Sequence, residues 1–395
     1  MIKRKKKNKE HNPFYDPTLK KRHVSAKRFK KFTLTSLIFS VAFLAFFLFD
    51  MIGKGIPAFN IAYVKVDVTF NEKTLEDTRF AVPTEYRNLV SRAALRDLPK
   101  LLEENPTYMN STQNIWILAS SQVDQYIKNH NHNLKDKDIA IVDELYAQGL
   151  IDKKFNAIFF ENGDSKIPEY AGIFSAVIGS ILTLIITMAV AFPIGVMTAI
   201  YLEEFAGDNK FTRFIEININ NLAAIPSILF GLLGLAIFIN LFGMPRSSPL
   251  VGGLTLALMT LPIIIVSSRA ALRAVPDSIR QAGYGLGLNK IQVTRDHVLP
   301  LAFPGIMTGS IIGLAQAMGE TAPLIIIGMI AFIPDAPSMV TQAATVMPAQ
   351  LFTWAGMPEG MYIEKTAAGI LVLLTILISL NAIAIFLRKK FEVKW

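Results

Sequence analysis

The chain has 395 residues, 52% of them apolar and 18% charged, with a mean hydropathy of +0.39. That is too apolar for an ordinary soluble protein and calls for several membrane spans plus some soluble material. There is no cysteine, which excludes disulfides, iron–sulfur clusters and thiol catalysis, and the net charge of +9 is unevenly spread.

Residues 1–31 hold 13 Lys or Arg against two acids, Glu10 and Asp16. No basic domain with interleaved aromatics follows, so this reads as a disordered basic tail before a span and not as a nucleic-acid arm. "TLTSLIFSVAFLAFFLF" (33–49) is the core of a first span over 32–52. No small-x-small cleavage site follows it, so an uncleaved signal anchor is expected.

A soluble stretch, 53–170, comes next. "AYVKVDVTF" (62–70) alternates as a strand should. Residues 84–105 read as a helix capped by Thr84 and kinked near Pro99. "DKDIAIVDELYAQGL" suggests a second helix and "FNAIFF" a short strand, giving a small α+β domain. His130 and His132 are two histidines without further ligands, too few for a metal site.

Five more apolar segments follow, at 171–202, 221–243, 250–268, 303–333 and 366–387. About 20 apolar residues cross a bilayer. The first and fourth of these are too long for one straight span and contain Pro193 and Pro323, so kinks, tilt or a re-entrant piece are expected. The loop 269–302 carries Arg269, Arg273, Arg280, Lys290 and Arg295, whereas 244–249 and 334–365 hold only Arg246 and Lys365. This asymmetry puts 269–302 and both termini, including the tail 389–395, in the cytoplasm. The expected fold is therefore an α-helical polytopic membrane protein with six transmembrane helices. An α+β extracytoplasmic domain is inserted between spans one and two, ahead of a membrane domain at 171–388.

The loop itself is informative. Pro276 and Asp277 open a helical run in which Ile279, Ala282 and Leu286 share a face, and Gly283, Gly285 and Gly287 break it near Leu288. A second short helix, about 289–298, is expected to end at Leu299 and Pro300. A loop of this length is usually functional, the bland alternative being a mere connection. Gln281, Ala282 and Gly283, then Gly287, then after nine residues His297, Val298, Leu299 and Pro300 keep the spacing of the E-A-A, G, I-x-L-P loop. The chain resembles the ABC importer permeases on this motif. Gln281, Gly283 and His297 depart from Glu, Ala and Ile.

The resemblance is narrower still. "NLAAIPSILFGLLGLAIF", "SRAALRAVPDSIRQAGYGLG" and "GETAPL" are similar to the PstA-type permeases of phosphate importers, over roughly 170–390. That likeness implies a transporter subunit of the bacterial inner membrane, and no enzyme. It implies a second permease subunit, a cytoplasmic ABC ATPase dimer and an extracytoplasmic phosphate-binding protein as partners. Inorganic phosphate would be the substrate, membrane lipid the surroundings, and nucleic acid no partner. ATP and Mg would sit on the partner ATPase, with no cofactor in this chain, which also lacks a P-loop. Gln281, Ala282, Gly283, Gly287, Leu299 and Pro300 would couple to the ATPase.

Within "AQAMGETAPL", Gln316, Glu320 and Thr321 would line the path. Gly305, Gly309, Gly313, Ala317 and Thr321 recur every four residues, a stripe for close helix packing. Gln316 and Glu320 occupy a neighbouring strip. On a straight helix Glu320 lies about 25 Å beyond Phe303. An ionisable group at that depth faces a partner or a polar path, the alternative being a protonated or paired Glu that only supports packing. Glu320 would either pair with an Arg or accept a hydrogen bond from a phosphate hydroxyl. Many of the similar permeases carry Arg where Gln316 stands, so a cation would come from the companion subunit. Rival readings are a permease for another oxyanion or nutrient, an ion-coupled secondary transporter, and a membrane-tethered enzyme or sensor built on 53–170.

Overall fold

The computed structural model describes residues 18–330 and 332–391. The chain divides into two compact units, Met1–Gly53 and Lys54–Trp395. Among the described residues the first unit is one helix, α1 (Leu19–Gly55), which runs on into the second by two residues. The basic stretch 19–31 is thus helical where a disordered tail was expected. Lys, Arg and Ala are good helix formers, and no Pro or Gly interrupts "LKKRHVSAKRFKK". Residues 1–17 and 392–395 of the expected tails lie outside the described residues.

The soluble part is built on a three-stranded antiparallel sheet, order β2-β1-β3. β1 (Asn60–Phe70) is central. It pairs with β2 (Ser111–Leu118) in the register Val66 to Ile115, and with β3 (Ile151–Phe155) in the register Val64 to Ile151. Period-two alternation buries Val64, Val66, Val68 and Phe70 on one face. Five helices belong here: α2 (Glu72–Glu76), α3 (Arg92–Arg96), α4 (Leu98–Glu104), α5 (Ser121–Ile127) and α6 (Asp136–Ala147). Leu89, Leu95, Leu98, Val123, Val142 and Leu145 close the core with the strand residues.

Two local expectations change. The helix expected from Thr84 begins only at Arg92, capped by Ser91, whose Oγ accepts from the Ala93 N–H at 3.3 Å. Val90 is held extended by a bridge to Ala119, which keeps the preceding residues out of the helix. Its continuation is split at Asp97, with Pro99 in the first turn of α4. "FNAIFF" is not a strand. Phe155 ends β3, and Asn156 caps α7 (Ala157–Glu161) by accepting from the Phe159 N–H at 3.2 Å.

The remaining helices form the bundle. They are α8 (Phe174–Ile200), α9 (Lys210–Leu222), α10 (Ser227–Gly234), α11 (Pro249–Arg273), α12 (Asp277–Gly285), α13 (Lys290–Val293), α14 (Leu299–Gly319), α15 (Ala322–Ile326), α16 (Met347–Ala355) and α17 (Gly360–Phe391). Among the described residues five helices are long and apolar enough to cross a membrane. They become six if α9 and α10 with its π-helical extension to Leu241, bent by 103°, count as one broken span. α8 passes through Pro193 without a break and ends in a π-turn, Tyr201–Phe205. The other long segment does break, as described below.

Small residues set the helix contacts. A Cβ on Gly253 of α11 would lie 2.6 Å from Ile186 of α8, and one on Gly195 of α8 2.8 Å from Ile264 of α11. The glycine stripe of α14 packs on α11: Gly305 faces Ala271 and Gly309 faces Ser267, so close that a Cβ at Gly309 would overlap the Ser267 hydroxyl.

The sheet domain is joined to the first turns of α17. Lys128 pairs with Asp124 and with Glu364, both at 2.7 Å. Gln125 donates to Glu364 at 2.6 Å, and His130 Nδ1 lies 3.5 Å from the same carboxylate. Lys365 Nζ donates to the carbonyls of Pro168 and Ala171, each at 2.6 Å. These ions are buried, so the joint is both paired and hydrogen-bonded, as buried charge must be.

Candidate functional site

Two places carry chemistry, and one continuous helix connects them. At the first, α14 stops at Gly319. Glu320 is extended (φ −76°, ψ 130°) and Thr321 leads into α15. Pro323 explains the stop: it lacks the N–H that would bond to the Gly319 carbonyl, and its ring would clash with that carbonyl in a continued helix. Glu320 therefore does not continue the strip of Gln316 along a straight helix, contrary to expectation. It sits in the break of a discontinuous span.

The surroundings of the break are two-sided. Ala317, Met318 and Leu324 are buried against Leu184, Phe230 and Leu256. Leu256 stands seven residues into α11, about 10 Å from its start. α15 docks on α10, where a Cβ on Gly231 would lie 2.7 Å from Pro323 Cα. On the other side Gln316 is exposed, and Glu320 and Thr321 are half-buried. The Glu320 carboxylate has no hydrogen-bond or ion-pair partner among the described residues, while its N–H donates to the Ala317 carbonyl at 3.3 Å.

At the opposite end of α14 lies the loop 274–298. α12 ends in a helix-stop motif at Gly287. The Gly287 N–H donates to the Tyr284 carbonyl at 2.9 Å and the Leu288 N–H to the Gly283 carbonyl at 3.2 Å. Gly283 is buried on Val293 of α13, and Gln281 and Ala282 are exposed. Ile279 packs into the core beneath, with Val275, Leu288 and Val293, but Leu286 does not share its burial. Leu286 is 81% exposed, and Tyr284 and Ile291 are exposed beside it. These three apolar side chains, all inside the motif, form an exposed surface that its spacing alone does not reveal.

The second short helix was expected to end at Leu299 and Pro300. Instead α13 continues through a π-turn, Thr294–Val298, into α14. The wider π-turn accommodates the missing N–H and the ring of Pro300 without stopping the helix. Lys290–Gly319 is thus one 30-residue helix. Leu299 is half-buried in the core under α12 and Pro300 is exposed.

Ion pairs tie α12 to the bundle. Arg280 pairs with Glu204 at 2.6 Å and donates to the carbonyls of Val275 (2.7 Å) and Leu272 (3.0 Å). Arg273 pairs with Glu203 at 2.7 Å, and Arg269 pairs with both Glu203 and Glu216. Glu203 and Glu204 are presented side by side by the π-turn that ends α8. The hydrogen bonds that Arg280 donates to Glu204 hold its guanidinium above its already high pKa. Three of the cations read from sequence as orientation signals, Arg269, Arg273 and Arg280, are therefore also internal tethers. "YLEEF" was the available signal for their partners.

The family model described as "Binding-protein-dependent transport system inner membrane component" matches residues 191–393, just over half of the chain. The chain belongs to this family. Residues 16–86 and 81–136 match a domain of unknown function, DUF3333. The family's membrane-protein character fits the apolar helices of the bundle. The chain is similar to "Phosphate transport system permease protein PstA" of Mycobacterium leprae, 36% identical over 40% of this chain and 52% of that protein. It is also similar to the protein of the same name from Yersinia pestis, 31% identical over 61% of this chain and 81% of that one. The chain spans about half the length of the mycobacterial relatives it matches. Among solved structures it is similar to the MetNI methionine ABC transporter in an inward-facing conformation. That likeness covers 56% of this chain and 98% of the other, with 16% identity and a TM-score of 0.45.

Proposed function

We propose that the chain is a membrane-spanning permease subunit of an ATP-driven importer of inorganic phosphate. In this reading it works with a second permease, a cytoplasmic ATPase dimer and an extracytoplasmic phosphate-binding protein. ATP and Mg act on the ATPase. The α12 end of the bundle and both termini face the cytoplasm, and the sheet domain faces outward.

The observation that carries the reading is the single helix Lys290–Gly319. Its first turn carries Ile291, which adds to the exposed apolar surface of Tyr284 and Leu286, and it ends at the break that holds Glu320. Movement of that surface on an ATPase is transmitted along a rigid element to the break. Gln281, Ala282, Gly283, Gly287, Leu299 and Pro300 supply the shape of the coupling end. Gln316, Glu320 and Thr321 line the path at the other. A carboxylate at membrane depth with no partner among the described residues is costly facing lipid, so its open side fits a second subunit or a polar path. The names of the relatives support phosphate as the substrate. Its hydroxyl can donate to Glu320, a bond that the fully ionised sulfate cannot make.

The test is uptake by the reconstituted complex with Glu320→Gln. Phosphate uptake should fall about tenfold or more, the worth of one charge-assisted hydrogen bond, with ATPase association unchanged. Normal uptake would leave Glu320 a packing role. Transport of sulfate or molybdate in place of phosphate by the unaltered complex would reassign the substrate.

A further inference from the structure

The sheet domain carries a cleft that nothing above uses. Two adjoining hollows, of about 650 and about 430 Å³, share Arg87, Asn88, Arg92 and Arg96 and extend to Lys166. Arg92 and Arg96 stand one turn apart on α3, an arrangement in which like charges repel. Both are exposed, and neither has a hydrogen-bond or ion-pair partner among the described residues. Arg87 is held in place: its Nε donates to the Val82 carbonyl at 3.2 Å, and its guanidinium lies 4.9 Å from the centre of the Phe80 ring. Its terminal nitrogens make no hydrogen bond there. Lys166, at the far end, lies 5.7 Å from the centre of the Phe332 ring.

Two acids line the hollows, and among the described residues neither forms an ion pair with Arg87, Arg92 or Arg96. Asp77 is committed to Arg79 at 2.6 Å. Glu169 is buried and accepts from the Ser121 N–H, and burial pushes its carboxyl above the usual carboxylate range. The cleft is therefore concave, cationic and furnished with several unused guanidinium N–H groups. Guanidinium forks match the oxygens of a phosphate group in two-pronged geometry. A hollow of this size suits a small anionic group. Lys166–Glu169, part of its lining, stand a few residues before α8 in the chain, which makes a lipid headgroup as well as a free anion a candidate ligand.

We propose that this cleft binds a phosphate group, either inorganic phosphate or the headgroup of an anionic phospholipid. The proposal does not depend on what the membrane path carries.

The experiment uses the full chain in its assembled complex, purified in zwitterionic detergent. The unaltered protein is compared with an Arg92→Gln/Arg96→Gln double variant and with its Arg92→Lys/Arg96→Lys counterpart. Both side chains are exposed, so an unchanged melting temperature should verify the fold. One arm measures binding of radiolabelled inorganic phosphate by equilibrium dialysis. The other counts phosphatidylglycerol retained per complex by native mass spectrometry. The Gln pair should weaken one of the two by about tenfold or more, as loss of charge-assisted hydrogen bonds requires, and the Lys pair should keep most of it. Loss in the first arm identifies free phosphate, and loss in the second alone identifies the headgroup. If both arms are unchanged, the proposal fails. It also fails if the only loss is association with the outer binding protein, because the cleft is then a protein-docking surface.

Discussion

At Gly287 the backbone turns with φ +84°, a conformation that costs an L side chain about 1–2 kcal/mol. Nothing lies within 4 Å of the Cβ position, so strain and not crowding decides what is tolerated. On the proposed function, Gly287→Asn should retain association with the partner ATPase, since Asn enters this region readily, whereas Gly287→Val should release it on purification. Equal yields of ATPase with both variants would remove the argument from the turn. Gly283 is governed by the opposite cause: a Cβ there would lie 2.8 Å from Val293 Cγ2. The departure from Ala in the motif thus has a packing reason ten residues away. Motif spacing made Gly287 legible, but no local pattern could show what Gly283 touches. Glu320 was legible as an acid in an apolar run. Its place in a break follows from Pro323, for which the sequence offers a kink, tilt or a re-entrant piece without choosing among them.

The elements show the same division. Apolar runs located every long helix of the bundle, because burial in a membrane needs length and hydropathy that a sequence displays directly. The π-turns after α8 and before α14 left no such trace, and they decide two things. One carries the helix through Pro300, and the other aims Glu203 and Glu204 at α11 and α12. Arg280 and Glu204 are 76 residues apart, with side chains 15% and 4% exposed. Arg280→Gln leaves Glu204 enclosed without its counter-charge, a loss of up to about 3 kcal/mol. The expected result is ATP hydrolysis by the complex that continues while uptake falls, since α12 would move without carrying the bundle. Restoration by the exchanged pair Arg280→Glu/Glu204→Arg would assign the effect to the pair itself. If Arg280→Gln leaves the ratio of uptake to hydrolysis unchanged, the tether has no part in coupling.

In the molecule as a whole, the α+β character of the soluble part could be read from one alternating strand and one helix. Its attachment could not, because Lys128 and Glu364 are 236 residues apart. Lys128→Met should loosen the joint, since Asp124 and Glu364 then lose the cation that bridges them. Burial already pushes the Asp124 carboxyl above the usual range. A raised carboxyl pKa costs stability above it and returns that stability as the pH falls through it. The variant's defect, followed by hydrogen exchange over 121–131, should therefore ease as the pH is lowered from 7.5 to 5 and Asp124 takes up a proton. A defect that deepens on acidification would contradict this account of the joint. With the joint intact, the sheet domain behaves as a pointer fixed to the shaft of α17. A fluorophore on the exposed face of β2 would then report any movement of the last helix during the proposed transport, with no label placed on α17 itself.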